Sequence, residues 1–361
     1  MIGKRLKLAR AAAGFSLRDL SAAMDGLVTA QAIGKYERNE AQPGSQVLIA
    51  LSKALDVPVD YLVGDDGLTL EAVDFRKKSI TSAKEEAQVA AQALHLLERY
   101  LMVEELLGLS SSNWSMPEGA PYLARDLVDA ESAALHLREA WGLGLDPIPN
   151  LVELLEEQGI KILGVRLANV DGLMARVGRA GKTSVPVIVL NNQVWGERQR
   201  FTLAHELGHL MLDVSNGLDE ESAAQRFASG LLMPTDSLCA EVGKHRTSIG
   251  WAELFELKKL FGVSVQAVVY RCQELGIFPK KLAQSLWREI SKQGWRKPPY
   301  EEPHSLPVEH PTRFFRLCFR ALAEGAISEA KAAELLGLRV QQLNQLMDDP
   351  QASDMLKHWE S

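Results

Sequence analysis

Over the first sixty-odd residues, apolar positions recur every three to four residues in short runs broken by glycine or capping residues. Leu6, Leu8 and Ala11–Ala13 predict a first helix ended by Gly14, and Ser16 caps a second with Leu17, Leu20 and Met24 turned inward. Thr29 is the N-cap of a third, TAQAIGKYERNE, with Ile33 and Tyr36 on one face and Gln31, Lys35 and Arg38 on the other. PGSQVLIALSKALDVPVDYLV supplies two more short helices. From about residue 67 to 110 the pattern stays helical but becomes highly charged. SAKEEAQVAAQALHLLERYLMVEELLGL shows no obvious stop and reads as a spacer or a dimerisation helix, so a homodimer is one assembly it would serve.

SSSNWSMPEGAP (110–121) marks a boundary, after which the pattern mixes helical and strand periods. DLVDAESAALHLREAWGLG reads as a helix, and DPIPNLVELLEEQGI as a proline-started helix closing at Gly159. IKILGVRL, GLMARVG and VPVIVLNNQ read as three strands, with turns at ANVD and RAGKTS. Helices follow in ERQRFTLAHELGHLMLD, in ESAAQRFASGLLMP and on both sides of FGVS in WAELFELKKLFGVSVQAVVYRCQELGIF. The stretch 293–311 is Pro-rich and extended, and RFFRLCFRALAEGAISEAKAAELLGLRVQQLNQLM forms a last helical module with another turn of helix-turn-helix shape. The expected fold class is mainly α with a small sheet. The expected units are a five-helix domain (1–66), a helical linker (67–125), an α+β domain (126–290) and a C-terminal helical module (291–361).

Composition narrows the function classes. With 46% hydrophobic and 24% charged residues and a net charge of −7, the 361-residue chain is no general polyanion binder, and any DNA contact must come from a local patch. Residues 1–40 hold such a patch in Lys4, Arg5, Lys7, Arg10, Arg18, Lys35 and Arg38. Two helices joined by a short turn, the second with exposed Gln and basic groups, make a helix-turn-helix. The DNA-contacting set is then Thr29, Gln31, Lys35 and Arg38, with Gln31 suited to an adenine edge and Lys35 to a guanine or a phosphate on double-stranded operator DNA. A small interaction module that never touches DNA is the competing reading. Cys239, Cys272 and Cys318 lie far apart without a CxxC, which argues against a disulfide framework or a thiolate zinc site. The basic start lacks a signal peptide's apolar core and no run is long enough to span a membrane, so a cytoplasmic protein without membrane contact is expected.

The chemistry concentrates at HELGH, residues 205–209. Four residues apart on a helix, His205 and His209 project from one face and can meet one Zn²⁺ at about 2.0–2.1 Å. Glu206 is placed to take a proton from a water at the metal, the mechanism attached to the H-E-x-x-H pattern of zinc peptidases. Leu203, Leu207 and Leu210 cover the core side, and Gly208, costing about 1 kcal/mol in mid-helix relative to Ala, calls for a close neighbour. Glu221, at the start of the next helix, is the expected third ligand, with Glu220 as runner-up and His245 behind it. Two His and one Glu leave a fourth position for water, as catalytic zinc requires, although Mn²⁺ or Fe²⁺ suit the same donors. Without a third ligand, the two histidines would be ordinary solvated side chains.

Two resemblances follow from these motifs. SLRDLSAAM, AQAIGKYERNE and PGSQVLIALSKALDVPVDYLV resemble the Xre-type, phage-repressor-like helix-turn-helix family, with a turn, DGLV, about two residues longer than in the simplest members. RFTLAHELGHLMLD followed by ESAAQRFASGLLMP resembles the ImmA/IrrE family of gluzincin-like metallopeptidases, whose members also join an N-terminal Xre-type domain. The second resemblance implies a gluzincin-like α+β fold, His205, His209 and Glu221 as ligands, Glu206 as general base, and cleavage of a partner, a helix-turn-helix repressor, that releases a stress response or mobile-element genes. Ala223 stands where many members carry a second acid, which favours Glu221 as ligand. The alternative is a transcriptional regulator or antitoxin-like protein whose metal domain senses or binds a partner without turnover.

Overall fold

A computed structural model describes residues 2–57, 59–63, 68–72, 83–109, 114–165, 171–179, 182–296 and 302–349. The chain is mainly helical with two small sheets. Five helices open it: α1 (Ile2–Ala12), α2 (Leu17–Ala23), α3 (Ala30–Glu37), α4 (Ser45–Leu55) and α5 (Val59–Val63). Ser16 and Asp19 form a reciprocal capping box on α2, and the Thr29 hydroxyl accepts from the Ala32 amide to start α3. Leu6, Leu20, Ile33, Leu51 and Leu62 are fully buried together, so the apolar period read from the sequence is the period of a real core.

Next come β1 (Leu68–Ala72) and α6 (Ala83–Leu106). The helical reading from residue 67 is corrected here: Leu68–Ala72 pairs antiparallel with a later strand, and LTLEA alternates with period two. Residues 73–82, the 110–113 part of the Ser-rich boundary, residues 168–170 of ANVD and residues 180–181 of RAGKTS lie outside the described residues. α6 uses two stripes. Ala93, Leu97, Tyr100 and Leu101 enter a core, whereas Gln92 donates to the Ala12 carbonyl, His95 meets the Tyr61 ring at 4.9 Å, and Glu98 accepts from Arg5 at 3.2 Å.

The following elements are β2 (Tyr122–Ala124), α7 (Leu127–Ala140), α8 (Leu151–Glu157), β3 (Lys161–Val165), β4 (Gly172–Arg179), β5 (Lys182–Asn191), α9 (Gly196–Met211), β6 (Leu212–Val214) and α10 (Glu220–Leu232). The main sheet runs β1-β4-β5-β3, antiparallel except for the parallel β3–β5 pair. β3 and residues 185–190 of β5 are buried on both faces, which explains the unbroken apolar run VPVIVL. Ile162, Ile188 and Leu190 face a core shared with α7–α10, while Leu163, Leu173, Val187 and Val189 face α6 and the C-terminal helices. Two boundaries differ from the sequence reading. Asn150, rather than either proline, starts α8 by accepting from the Glu153 amide. Leu212 and Asp213 leave α9 to pair with β2 as a short parallel ribbon.

The chain closes with α11 (Thr235–Val242), α12 (Trp251–Phe261), α13 (Val265–Glu274), α14 (Lys280–Lys292), α15 (Arg313–Ala323), α16 (Glu329–Leu336) and α17 (Val340–Asp348). Between α14 and α15, residues 302–311 carry neither helix nor strand and act as a strap. The Glu309 carboxylate accepts from the Leu151 and Val152 amides and pairs with Arg200, and Glu302 accepts from the Val265 amide and from Lys258.

A second lock ties α7 to α10, α11 and α13. The fully buried Arg271 donates to Glu131 at 2.5 and 3.0 Å and to Glu274 at 2.8 Å, and Arg226 on α10 reaches both acids. Burial alone would raise the Glu131 carboxyl, but hydrogen bonds from Arg271, Thr235 and Arg226 and the Arg271 charge outweigh it and hold the group at about 2. A depressed carboxylate stabilises the fold above its ordinary value of 4.5, and that contribution is lost as pH falls toward 2. Glu131→Gln is therefore expected to cost roughly 3 kcal/mol at pH 7. In denaturant melts the gap to the parent protein should narrow as pH falls below about 4.5.

Candidate metal centre

α9 presents His205 and His209 one turn apart, as the spacing requires, with their Nε2 atoms 3.1 Å from each other and the rings nearly perpendicular. Glu221 enters from the first turn of α10, with one carboxylate oxygen 3.2 Å from His205 Nε2 and the other 3.5 Å from His209 Nε2. Asp219 fixes that turn by accepting from the Ser222 amide and hydroxyl. A tetrahedral ion with bonds of about 2.0–2.2 Å separates its donors by about 3.3–3.6 Å. The two Nε2 atoms lie 3.1 Å apart and each has its own Glu221 oxygen at 3.2 or 3.5 Å, separations that suit one small divalent cation, and the three residues are of the type that holds it.

What lets a carboxylate on α10 reach two imidazoles on α9 is the closeness of the helices. A Cβ at Gly208 would lie 3.2 Å from the Ala224 backbone and 3.1 Å from the Phe227 ring. The small residue in mid-helix thus has its close neighbour. Ala224 and Ala228 are fully buried, and Leu203, Leu207 and Leu210 anchor the opposite side of α9 in the core.

The site is closed below and open at one edge. The His209 side chain is 6% exposed and that of His205 17%, whereas that of Glu221 is 51% exposed. Glu206 lies beside His205, half-buried. Among the described residues, the group able to hold a metal is His205, His209 and Glu221; neither Glu220 nor the exposed His245 joins it. Tyr270 on α13 is exposed and lines a cleft beside α9.

At the other end, Gln31 and Lys35 are exposed on α3 and Thr29 caps it. Three basic groups of the patch are already engaged. Arg10 grips Glu37 through two hydrogen bonds, Arg5 pairs with Glu98, and Arg38 forks onto Glu40 at 2.7 and 2.9 Å. Sequence spacing could not show the last pairing, because it depends on the chain turning at the end of α3.

Comparison with known families agrees with this division. Residues 6–62 match the family model described as helix-turn-helix, and residues 155–273 match peptidase M78, described as the IrrE N-terminal-like domain. The chain joins a helix-turn-helix domain to an M78 peptidase-type domain. It is also similar to the HTH-type transcriptional regulator ImmR of Bacillus subtilis (strain 168), 31% identical over 86 residues. That match covers 24% of this chain and 66% of the relative, just under two thirds of its length. The M78 match spans α9, α10 and the metal-competent triad. Among the described residues, no helix is long and apolar enough to cross a membrane.

Because the Gly208 contact sets the spacing of the M78-type site, Gly208→Val should force α9 and α10 apart. Overpacking of this kind costs about 1–3 kcal/mol. Thermal unfolding should shift downward and zinc affinity, read by competition with a chromogenic chelator, should fall with it.

Proposed function

We propose that this protein is a DNA-bound metallo-endopeptidase, with zinc as the expected ion, that cuts a partner helix-turn-helix repressor. The observation that carries the reading is the convergence of His205, His209 and Glu221, with the two imidazole nitrogens 3.1 Å apart, a carboxylate oxygen 3.2 or 3.5 Å from each, and the open side at the carboxylate. His205, His209 and Glu221 would hold the ion. When bound, it supplies Lewis-acid polarisation of a carbonyl and makes a nearby water more acidic; Mn²⁺ or Fe²⁺ would serve the same donors. Glu206 then acts as general base: its carboxylate accepts a proton from the attacking water and returns it to the departing amine. Both histidines are largely buried, so a flexible segment can bring its backbone to them more readily than a folded surface, and the cleaved segment would be a flexible linker of the partner. This is selective processing, not general digestion.

The helix-turn-helix domain would place the enzyme at an operator, with Gln31 reading a base edge and Lys35 contacting a base or a phosphate. Thr29 retains its hydroxyl hydrogen for a phosphate, while Arg38 would first have to exchange Glu40 for DNA. The resemblance to ImmR, named as a transcriptional regulator, favours a second reading in which the metal domain senses or binds a partner without turnover.

Mixing the purified protein with candidate helix-turn-helix repressors separates the two readings. Glu206→Gln should retain one equivalent of zinc and lose cleavage by a factor of at least about 10², whereas His205→Ala should lose the metal itself. Zinc occupancy without any cleavage by the parent protein would select the sensing role. Gln31→Ala and Lys35→Ala should each weaken operator binding in mobility-shift assays, the second with a shallower salt dependence. Unchanged binding by both variants would remove the DNA role assigned to α3.

A further inference from the structure

One turn from the proposed ligands lies a second recess. Phe201 precedes His205 by four residues on α9 and Gln225 follows Glu221 by four on α10, so each is about 5–6 Å along the helix from its ligand. Both line a cleft of about 280 Å³, walled by Trp195, Phe201, Tyr270 and Trp287. That volume holds one large side chain, not a cofactor.

The base of the cleft is acidic. Glu197 and Glu302 both line it and are 3% and 7% exposed. Their shared partner is Lys258, which is fully buried, 2.6 Å from Glu197 and 3.2 Å from Glu302. Two carboxylates against one ammonium leave a formal excess of one negative charge, with Glu302 held further by the Val265 amide and Glu197 left with the less satisfied carboxylate. Arg198 at the rim does not change the sum, because Asp171 neutralises it, and Arg296, stacked 5.3 Å from the Trp287 ring centre, is exposed and outside the lining. The Oε1 atom of Glu197 accepts from the Leu306 amide as well as from Lys258, but its buried Oε2 has no hydrogen-bond partner. Aromatic walls around a buried net negative charge favour a cation over a neutral apolar group of equal size, through the ring faces and through the local field.

We infer that this cleft is a specificity subsite that receives an arginine or lysine side chain of an extended peptide whose backbone crosses the metal centre. The inference rests on the peptidase reading for the identity of the ligand as a substrate, but binding can be measured without turnover. The zinc-loaded Glu206→Gln protein is titrated calorimetrically with two blocked tripeptides, acetyl-Ala-Arg-Ala-amide and the same peptide with norleucine in place of arginine. The arginine peptide should bind at least ten-fold more tightly. Ala267→Trp, which fills the cleft from α13, should weaken the arginine peptide at least ten-fold with zinc stoichiometry unchanged, and Glu197→Gln should reduce the preference. Equal affinities, no binding of either peptide, or an arginine affinity untouched by Ala267→Trp would overturn the subsite. A parent protein that cuts no repressor yet keeps this preference would instead refute the peptidase reading and leave the subsite standing.

Discussion

The close approach of α9 and α10 is the constraint on which the metal centre depends. A carboxylate borne on one helix reaches two imidazoles on another only if the backbones nearly touch, and here that contact is made by Gly208 against Ala224. A glycine in the middle of a helix is a standing cost of about 1 kcal/mol. Packing of the buried Ala224, Phe227 and Ala228 against α9 offsets it. The remainder of the α+β unit can be understood as support for this contact. The sheet backs α9 from one side, and β2 with β6 fixes where α9 ends.

Two polar locks prevent the helices from sliding. The strap reaches α9 through Glu309 on Arg200 and through Gln199, and it passes so close to Gly196 that a side chain there would overlap the Pro307 carbonyl. The Arg271 network holds α10 from its other side through Arg226 and Glu131. Buried ions stabilise only when each is paired, and removal of one partner leaves an expensive charge behind. These locks therefore confer position more than net stability. Position is what a coordination site requires, because its donors must keep their places to within about 0.5 Å.

Much of this was legible in the sequence because the governing signals are local. Ser16, Thr29 and Asp219 cap the helices they precede, and the 205/209 spacing places two imidazoles on one face wherever that helix sits. Glu221 could be nominated because a helix start and small residues at 224 and 228 describe a close-packed partner. What stayed hidden is non-local. β1 is a five-residue edge strand whose identity depends on β4, and the two-residue excursion of α9 into β6 depends on β2. The pairing of Lys258 with Glu197 and Glu302 spans 61 and 44 residues of chain, distances over which no periodicity operates. Arg38 looked free for DNA because its partner Glu40 lies two residues away, a spacing that is not adjacent on a helix but becomes so beyond its end.

α6 explains how a DNA-reading fold and a metal centre share one chain. Its apolar stripe is part of the core beneath the sheet, with Tyr100 against Phe314 at 5.4 Å and Leu97 and Leu101 fully buried. Its polar stripe meets the helix-turn-helix domain through Gln92, His95 and Glu98. Burial, with the nearby Arg99 and Arg5 charges, pushes His95 down to about 4, so the imidazole is neutral at neutral pH and packs as a ring against Tyr61 rather than as an ion. The two joints differ in kind. Towards the sheet, α6 buries a whole apolar stripe, worth several kcal/mol at about 25 cal/mol per Å². Towards the helix-turn-helix domain it runs along α1 and adds polar contacts, of which a part-exposed ion pair such as Arg5–Glu98 contributes about 0–1 kcal/mol. α6 is therefore packed on both units, and register on the α1 side is set by its polar groups while the sheet side is set by burial.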